Sequence, residues 1–213
     1  MEEEKKIPKE FRFKCIRCGN CCTDKNTLVN ITYSDILKIR KSLDLSLEEI
    51  IEILGFYLYD KEFTEENRKK MVIPPITTEK GLAFIGLIKR NSGACYFYDE
   101  ENKRCKIYAL RPNFCRTFPF TFRIFINKTD KSKAKIKMSY TEKGKQYCPG
   151  ITDDMPLINE EEWIQLGART IEDLNDNYIF IQKWNNAVKK SQITPTVRNF
   201  LLTLFNLEIK NKN

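Results

Sequence analysis

The chain contains no histidine among its 213 residues. That absence removes Cys2His2 fingers, Cys–His nucleophile pairs, Ser–His–Asp triads and His-ligated catalytic zinc together. Glycine is scarce, at eight residues. There is no P-loop and no G-x-G-x-x-G run, and Gly81 and Gly86 stand too isolated to cradle a phosphate. A Rossmann-type S-adenosylmethionine site is therefore not expected. Long apolar runs are missing as well. The longest stretches, 50–59 and 82–88, fall well short of the roughly 20 residues a membrane-spanning helix needs. The opening M-E-E-E-K-K is charged and lacks the apolar centre of a secretory signal. The expectation is a cytoplasmic protein with reduced thiols and no membrane span.

With 41% hydrophobic and 31% charged residues, the chain can bury a core and stay hydrated outside. Its length suits one domain, or one with an appended helical element. The formal charge of +8 invites a nucleic-acid reading, but it counts the cysteines as neutral. Eight thiolates on two Zn²⁺ ions, or on two [4Fe–4S]²⁺ clusters, would bring the net charge to about +4. Lysine is scattered with glutamate, and no RNP-like aromatic motif or basic recognition helix is present. Nucleic acid is the weaker partner class; a metal or cluster, and a protein substrate or partner, are the stronger ones.

Four of the eight cysteines fall within eight residues, Cys15, Cys18, Cys21 and Cys22, as C-x2-C-x2-C-C. Cysteines at this interval on a tight turn aim thiolates at one point, and Gly19 sits where that turn must bend. The remaining four are Cys95, Cys105, Cys115 and Cys148, the last followed by Pro149 as in ferredoxin-type runs. Eight thiols divide into two four-thiolate sites. Adjacent side chains diverge, so Cys21 and Cys22 are expected to serve different sites. One centre with some packing cysteines, and a purely structural zinc staple, are the competing readings. An all-sulfur donor set suits Zn²⁺ or an iron–sulfur cluster and not Mg²⁺ or Ca²⁺. Arg111 and Arg116 flank Cys115, where a guanidinium would offset the negative charge of a thiolate centre, and Tyr108 would pack its ring on it. Phe114, Phe118, Phe120 and Phe122 would shield it from water.

The pattern is α+β: a cysteine-rich core of short antiparallel strands and helices over residues 11–150, with a C-terminal helical extension over 151–213 packed on it. Thr32 or Ser34 caps a helix reaching about Lys41. Ser46 and Glu49 form a capping box for a helix ending at Gly55. Strands are expected at 82–89, 121–127 and 134–140, and a hairpin with arms 95–98 and 105–108. Pro112 opens a short helical turn. Asn159 caps a helix to about Lys190, and a last helix follows Thr194-Pro195.

The strings C-I-R-C-G-N-C-C, C-Y-F-Y-D, C-K-I-Y-A-L-R-P-N-F-C-R-T-F-P-F and Y-C-P-G together resemble the YkgJ-like cysteine-cluster family, named for its CxxCxxCC motif. The resemblance covers about residues 13–150. It implies metal or cluster ligation by all eight cysteines, described for the family as zinc or iron chelation. Flagellin N-methylase-like proteins, which methylate protein lysines, fall in the same group. The resulting expectation is an iron–sulfur cluster, [4Fe–4S] foremost, or iron, with redox or lysine methyl-transfer activity. The alternative is Zn²⁺ in a structural module that binds a protein or RNA partner. The C-x3-C-x2-C spacing of radical enzymes is absent.

Overall fold

Helix caps written into the sequence set most of the boundaries. A computed structural model describes residues 10–60, 64, 71–125 and 134–210. Residues 126–133, at the junction of the strands expected at 121–127 and 134–140, lie outside them. A single helical turn, α1 (Asn20–Thr23), closes the cysteine loop. Thr32 then caps α2 (Tyr33–Leu43), with Asp35 closing the box by accepting the Thr32 backbone N–H. Ser46 and Glu49 do the same for α3 (Leu47–Ile53).

That helix stops before the predicted Gly55. The chain turns directly into strand β1 (Leu54–Leu58), where Gly55 lies opposite Gly86 of β3 (Gly81–Leu87). Cross-strand pairing supplies the backbone partners that a helix end would otherwise lack. With β2 (Ile76–Thr78) they form an antiparallel sheet of order β1-β3-β2.

The predicted hairpin exists as β4 (Tyr98–Asp99) and β5 (Arg104–Cys105). Antiparallel strands set the last residue of one arm against the first of the next, so Cys105 faces Tyr98, while Cys95 bridges to Lys89. Pro112 leads into α4 (Asn113–Thr117). A two-stranded ribbon follows, β6 (Phe120–Phe125) with β7 (Lys135–Tyr140), and then α5 (Glu142–Tyr147).

Asn159 caps α6 (Glu160–Lys189) through its side-chain oxygen, which accepts from Glu161 and Glu162 N–H. The last helix is α7 (Val197–Lys210). Both C-terminal helices enter the main core. Phe180, Ile181 and Trp184 of α6, with Phe200, Leu201 and Leu204 of α7, bury against Ile36, Ile39, Ile50 and Ile76. Polar pins fix α6 further: Trp184 Nε1 donates to Thr77 O at 2.9 Å, and Asn185 brackets β2 by bonds to Thr77 N and Pro75 O. A second, smaller cluster gathers Phe11, Phe120 and Met138 with Phe13, Tyr140 and Trp163. Its rings meet mostly edge to face, as the aromatic quadrupole favours. The cysteine loop runs between the two clusters.

Candidate metal centre

The turn in C-I-R-C-G-N-C-C is made at Gly19, whose φ of +84° lies in the left-handed region. A Cβ here would sit 2.1 Å from the Tyr98 hydroxyl oxygen, so only glycine allows the loop to close over that ring. Arg17, also left-handed at φ 57°, bends the chain just before it. The Gly19 carbonyl then accepts the Cys22 and Thr23 N–H groups at 2.8 and 3.1 Å. The loop is thereby a compact turn closed over the Tyr98 ring.

Each distant cysteine is delivered by a separate device. The Cys95 N–H donates to the Cys22 carbonyl at 2.8 Å. Cys105 arrives opposite Tyr98 in the hairpin. Cys115 rides on α4, which is anchored at both faces. The Asn113 N–H donates to Asp35 Oδ1 at 3.1 Å, and its side-chain amide donates to Asp173 Oδ2 at 2.6 Å. Cys148 ends α5 and is drawn to the loop by Asn20 Nδ2, which donates to Tyr147 O at 3.0 Å. Gly150 completes the approach: Lys14 N–H donates to its carbonyl at 3.2 Å, and a Cβ on Gly150 would lie 2.5 Å from the Lys14 oxygen. Lys143 of α5 adds a 2.9 Å ion pair to Asp24, just past α1.

All eight cysteines line one cavity of about 710 Å³. Cys15, Cys18 and Cys21 are exposed, Cys22, Cys105, Cys115 and Cys148 are half-buried, and Cys95 is buried at 7% exposure. No disulfide is formed among them. The sulfurs of Cys21 and Cys22 lie 4.0 Å apart, so these neighbours remain in contact. Both interact electrostatically with Cys105 and Cys115. Cys148 does so with Cys18, Cys21 and Cys15. Cys95, Cys105 and Cys115 interact among themselves. Among the described residues, no three Cys, Asp or Glu side chains are already gathered tightly enough for a single ion.

The thiols' acidities follow from this packing. The Cys21–Cys22 hydrogen bond holds Cys21 down at about 7, against the cost of burial and with help from Arg111. The same bond, then burial, pushes Cys22 well above the ordinary thiol range. Burial also raises Cys95, Cys105, Cys115 and Cys148.

Arg111 and Tyr108 line the cavity with the cysteines; Arg116 does not, and faces a shallower depression beside Cys15. The Arg111 guanidinium lies 3.8 Å from the Tyr108 ring centroid and donates to Tyr108 O and Cys115 O. Its charge reaches Cys21, Cys105 and Cys115. Phe114, Phe118, Phe120 and Phe122 all line the cavity. Two contributors lay outside the sequence expectations. Arg17 places a second guanidinium over Tyr108, 4.4 Å from the centroid, and Tyr98 is the floor of the loop. The spacing of Tyr98 from Cys95 and of Arg17 within the motif were the available signals, but each residue type is common enough to pass unmarked.

The donor chemistry fits a metal. Eight sulfurs and the cations Arg17, Arg111, Arg123 and Lys143 line one cavity, and among the described residues Glu142 is the one carboxylate on it. Comparison with known proteins agrees. A stretch 27% identical over 139 residues is shared with an uncharacterised protein of Methanocaldococcus jannaschii, covering 65% of this chain and 58% of that relative. The chain thus spans under two thirds of the relative's length. No solved structure matches. A family model described as a "putative zinc- or iron-chelating domain" matches residues 14–149, which include every cysteine, and the chain belongs to this CxxCxxCC family.

Proposed function

We propose that the protein is a cytoplasmic metalloprotein that holds iron, as iron–sulfur clusters in the first instance, in two neighbouring thiolate sets within one cavity. Cys15, Cys18, Cys21 and Cys148 form the outer set; Cys22, Cys95, Cys105 and Cys115 form the inner set. The observation that carries this reading is the convergence of all eight cysteines on a single cavity from positions as far apart as 15 and 148. Packing alone gives no reason for every cysteine of a chain to meet in one place.

Iron–sulfur clusters, when bound, supply one-electron transfer at a potential set by charge, hydrogen bonding and solvent access. The chain's own residues act on those three quantities. Arg111 offsets thiolate charge near Cys21, Cys105 and Cys115. The phenylalanines limit water on the inner side, and exposed Cys15, Cys18 and Cys21 leave the outer side open. The cavity of about 710 Å³ has room for a substrate side chain beside the metal, which the lysine methyl transfer implied by the family resemblance would require.

A second reading has its own observation. Two thiolates on one tetrahedral Zn²⁺ stand roughly 3.8 Å apart, given bonds of about 2.3 Å. The 4.0 Å between Cys21 and Cys22 suits that arrangement, and a zinc-stapled interaction module would follow. Anaerobic purification of the full chain separates the two. A brown protein with sulfur-to-iron charge-transfer absorption and acid-labile sulfide supports the first reading. A colourless protein with stoichiometric zinc overturns it in favour of the second.

A further inference from the structure

Beside the thiol cavity lies a second depression, of about 360 Å³, that the metal reading does not use. Its lining carries three cationic side chains, Lys14, Arg111 and Arg116, between the rings of Tyr108, Phe118 and Trp163. No carboxylate lines it. Among the described residues, the ion pairs of the molecule involve other groups, and none of these three cations forms one. Three cations held together without a carboxylate partner repel one another, and a protein normally spreads or pairs such charges. Arg111 is partly committed, through its bonds to Tyr108 O and Cys115 O and its charge on the thiols. Arg116 and Lys14 are not. Arg116 is half-buried on the last turn of α4, which Asn113 pins from the other end.

The walls say what kind of anion fits. Trp163 is held edge to face against Phe13 and Phe120, and Phe118 stacks on Tyr147 at 5.9 Å, so these rings are fixed in place. Fixed rings beside guanidinium groups receive a flat apolar body, and the cations receive a charged end. Cys15 also lines this depression, so its occupant would lie next to the outer thiol set.

We propose that this depression binds a small organic anion, an aromatic ring bearing a phosphate or a carboxylate, with Arg116 and Lys14 taking the charge and Trp163 and Phe118 the ring. The site is separate from the thiol cavity in its anion ligands, because neither Arg116 nor Lys14 lines that cavity.

The test is calorimetric titration of the full-length protein, as purified with its metal, using phenyl phosphate, benzoate and the uncharged benzyl alcohol. Metal content is measured on the same samples. Saturable, salt-weakened binding of phenyl phosphate or benzoate, with no binding of benzyl alcohol, is expected. The tighter of the two anions identifies the charged group. Arg116→Gln should weaken that binding about tenfold, the loss of one charged hydrogen bond. Lys14→Gln, on an exposed residue whose replacement leaves folding intact, should weaken it several-fold. Metal content should be unchanged in both. Absence of saturable binding, equal binding of benzyl alcohol, or unaltered affinity in Lys14→Gln would overturn the proposal. A wild-type protein purified without metal that still binds the anion would count against the metal reading alone.

Discussion

The inner and outer thiols are four cysteines each, yet they are built in different ways. Cys22, Cys95, Cys105 and Cys115 pack against the main hydrophobic core, and the elements that carry them are pinned by buried bonds such as Asn113 to Asp35 and Asp173. Cys15, Cys18 and Cys21 stand exposed on a loop whose shape rests on Gly19 over Tyr98, and Cys148 reaches them through Asn20 and Gly150. The difference teaches that the inner four are tied to the core and the outer ones to a surface loop. On the proposed function, chemistry that needs access falls to the outer set and stability to the inner one.

The comparison breaks most easily at the inner set. Cys115→Ser and Cys95→Ser should lose metal and unfold. A structural thiolate site contributes about 10 kcal/mol or more of apparent binding free energy, comparable with the net stability of a whole domain. Thermal melting should show no native transition at the wild-type temperature. Cys18→Ser should also lose metal, but with a clearly smaller drop in melting temperature. Equal drops for Cys18→Ser and Cys115→Ser would erase the distinction.

Smaller changes sharpen it. Gly19→Ala forces a Cβ into Tyr98 and strains a left-handed residue. It should cost about 1–3 kcal/mol and release metal from the outer set first, as read by denaturant melting with metal analysis. Asn113→Ala removes the bond to Asp173 and loosens α4, at about 1.5–3 kcal/mol, with the inner set affected first.

The smallest effect concerns Asp35. Burial holds its carboxyl above the ordinary value, against the lowering by its bonds to Thr32 and Asn113. The folded state then keeps this proton at pH values where the unfolded chain has released it. The stability it contributes is full below the unfolded value and is lost as pH rises through the raised one. Asp35→Asn should flatten that part of the pH–stability curve, measured by urea melts. An unchanged slope would mean that Asp35 titrates normally in the fold.

Caps and motif were legible in the sequence because they are local. Thr32, Ser46 and Asn159 start their helices by bonds spanning three residues or fewer, and C-x2-C-x2-C-C announces a thiol loop by spacing alone. The halt of α3 before Gly55 was not legible, because it depends on pairing with β3 some thirty residues on. The facing of Cys105 with Tyr98 likewise depends on hairpin register, which two-residue strands barely encode in their pattern. The separation of Arg116 from Arg111 was hidden for a related reason. Both flank Cys115 in sequence, but they sit on either side of the start of α4, and only Arg111 lines the cavity that all eight cysteines share. The spacing of Tyr98 from Cys95 and of Arg17 within the motif is too common a signal to single out either residue; the loop folded over one ring and its neighbour does so.

The most direct test is metal per chain, counted anaerobically by elemental and sulfide analysis in the wild-type protein, Cys148→Ser and Cys22→Ser. Two thiolate sets in one cavity predict a full complement in the wild type, and a loss confined to one centre in each variant, the outer in Cys148→Ser and the inner in Cys22→Ser. Complete loss in both variants would mean a single shared centre, and full metal in both would mean that these cysteines hold none.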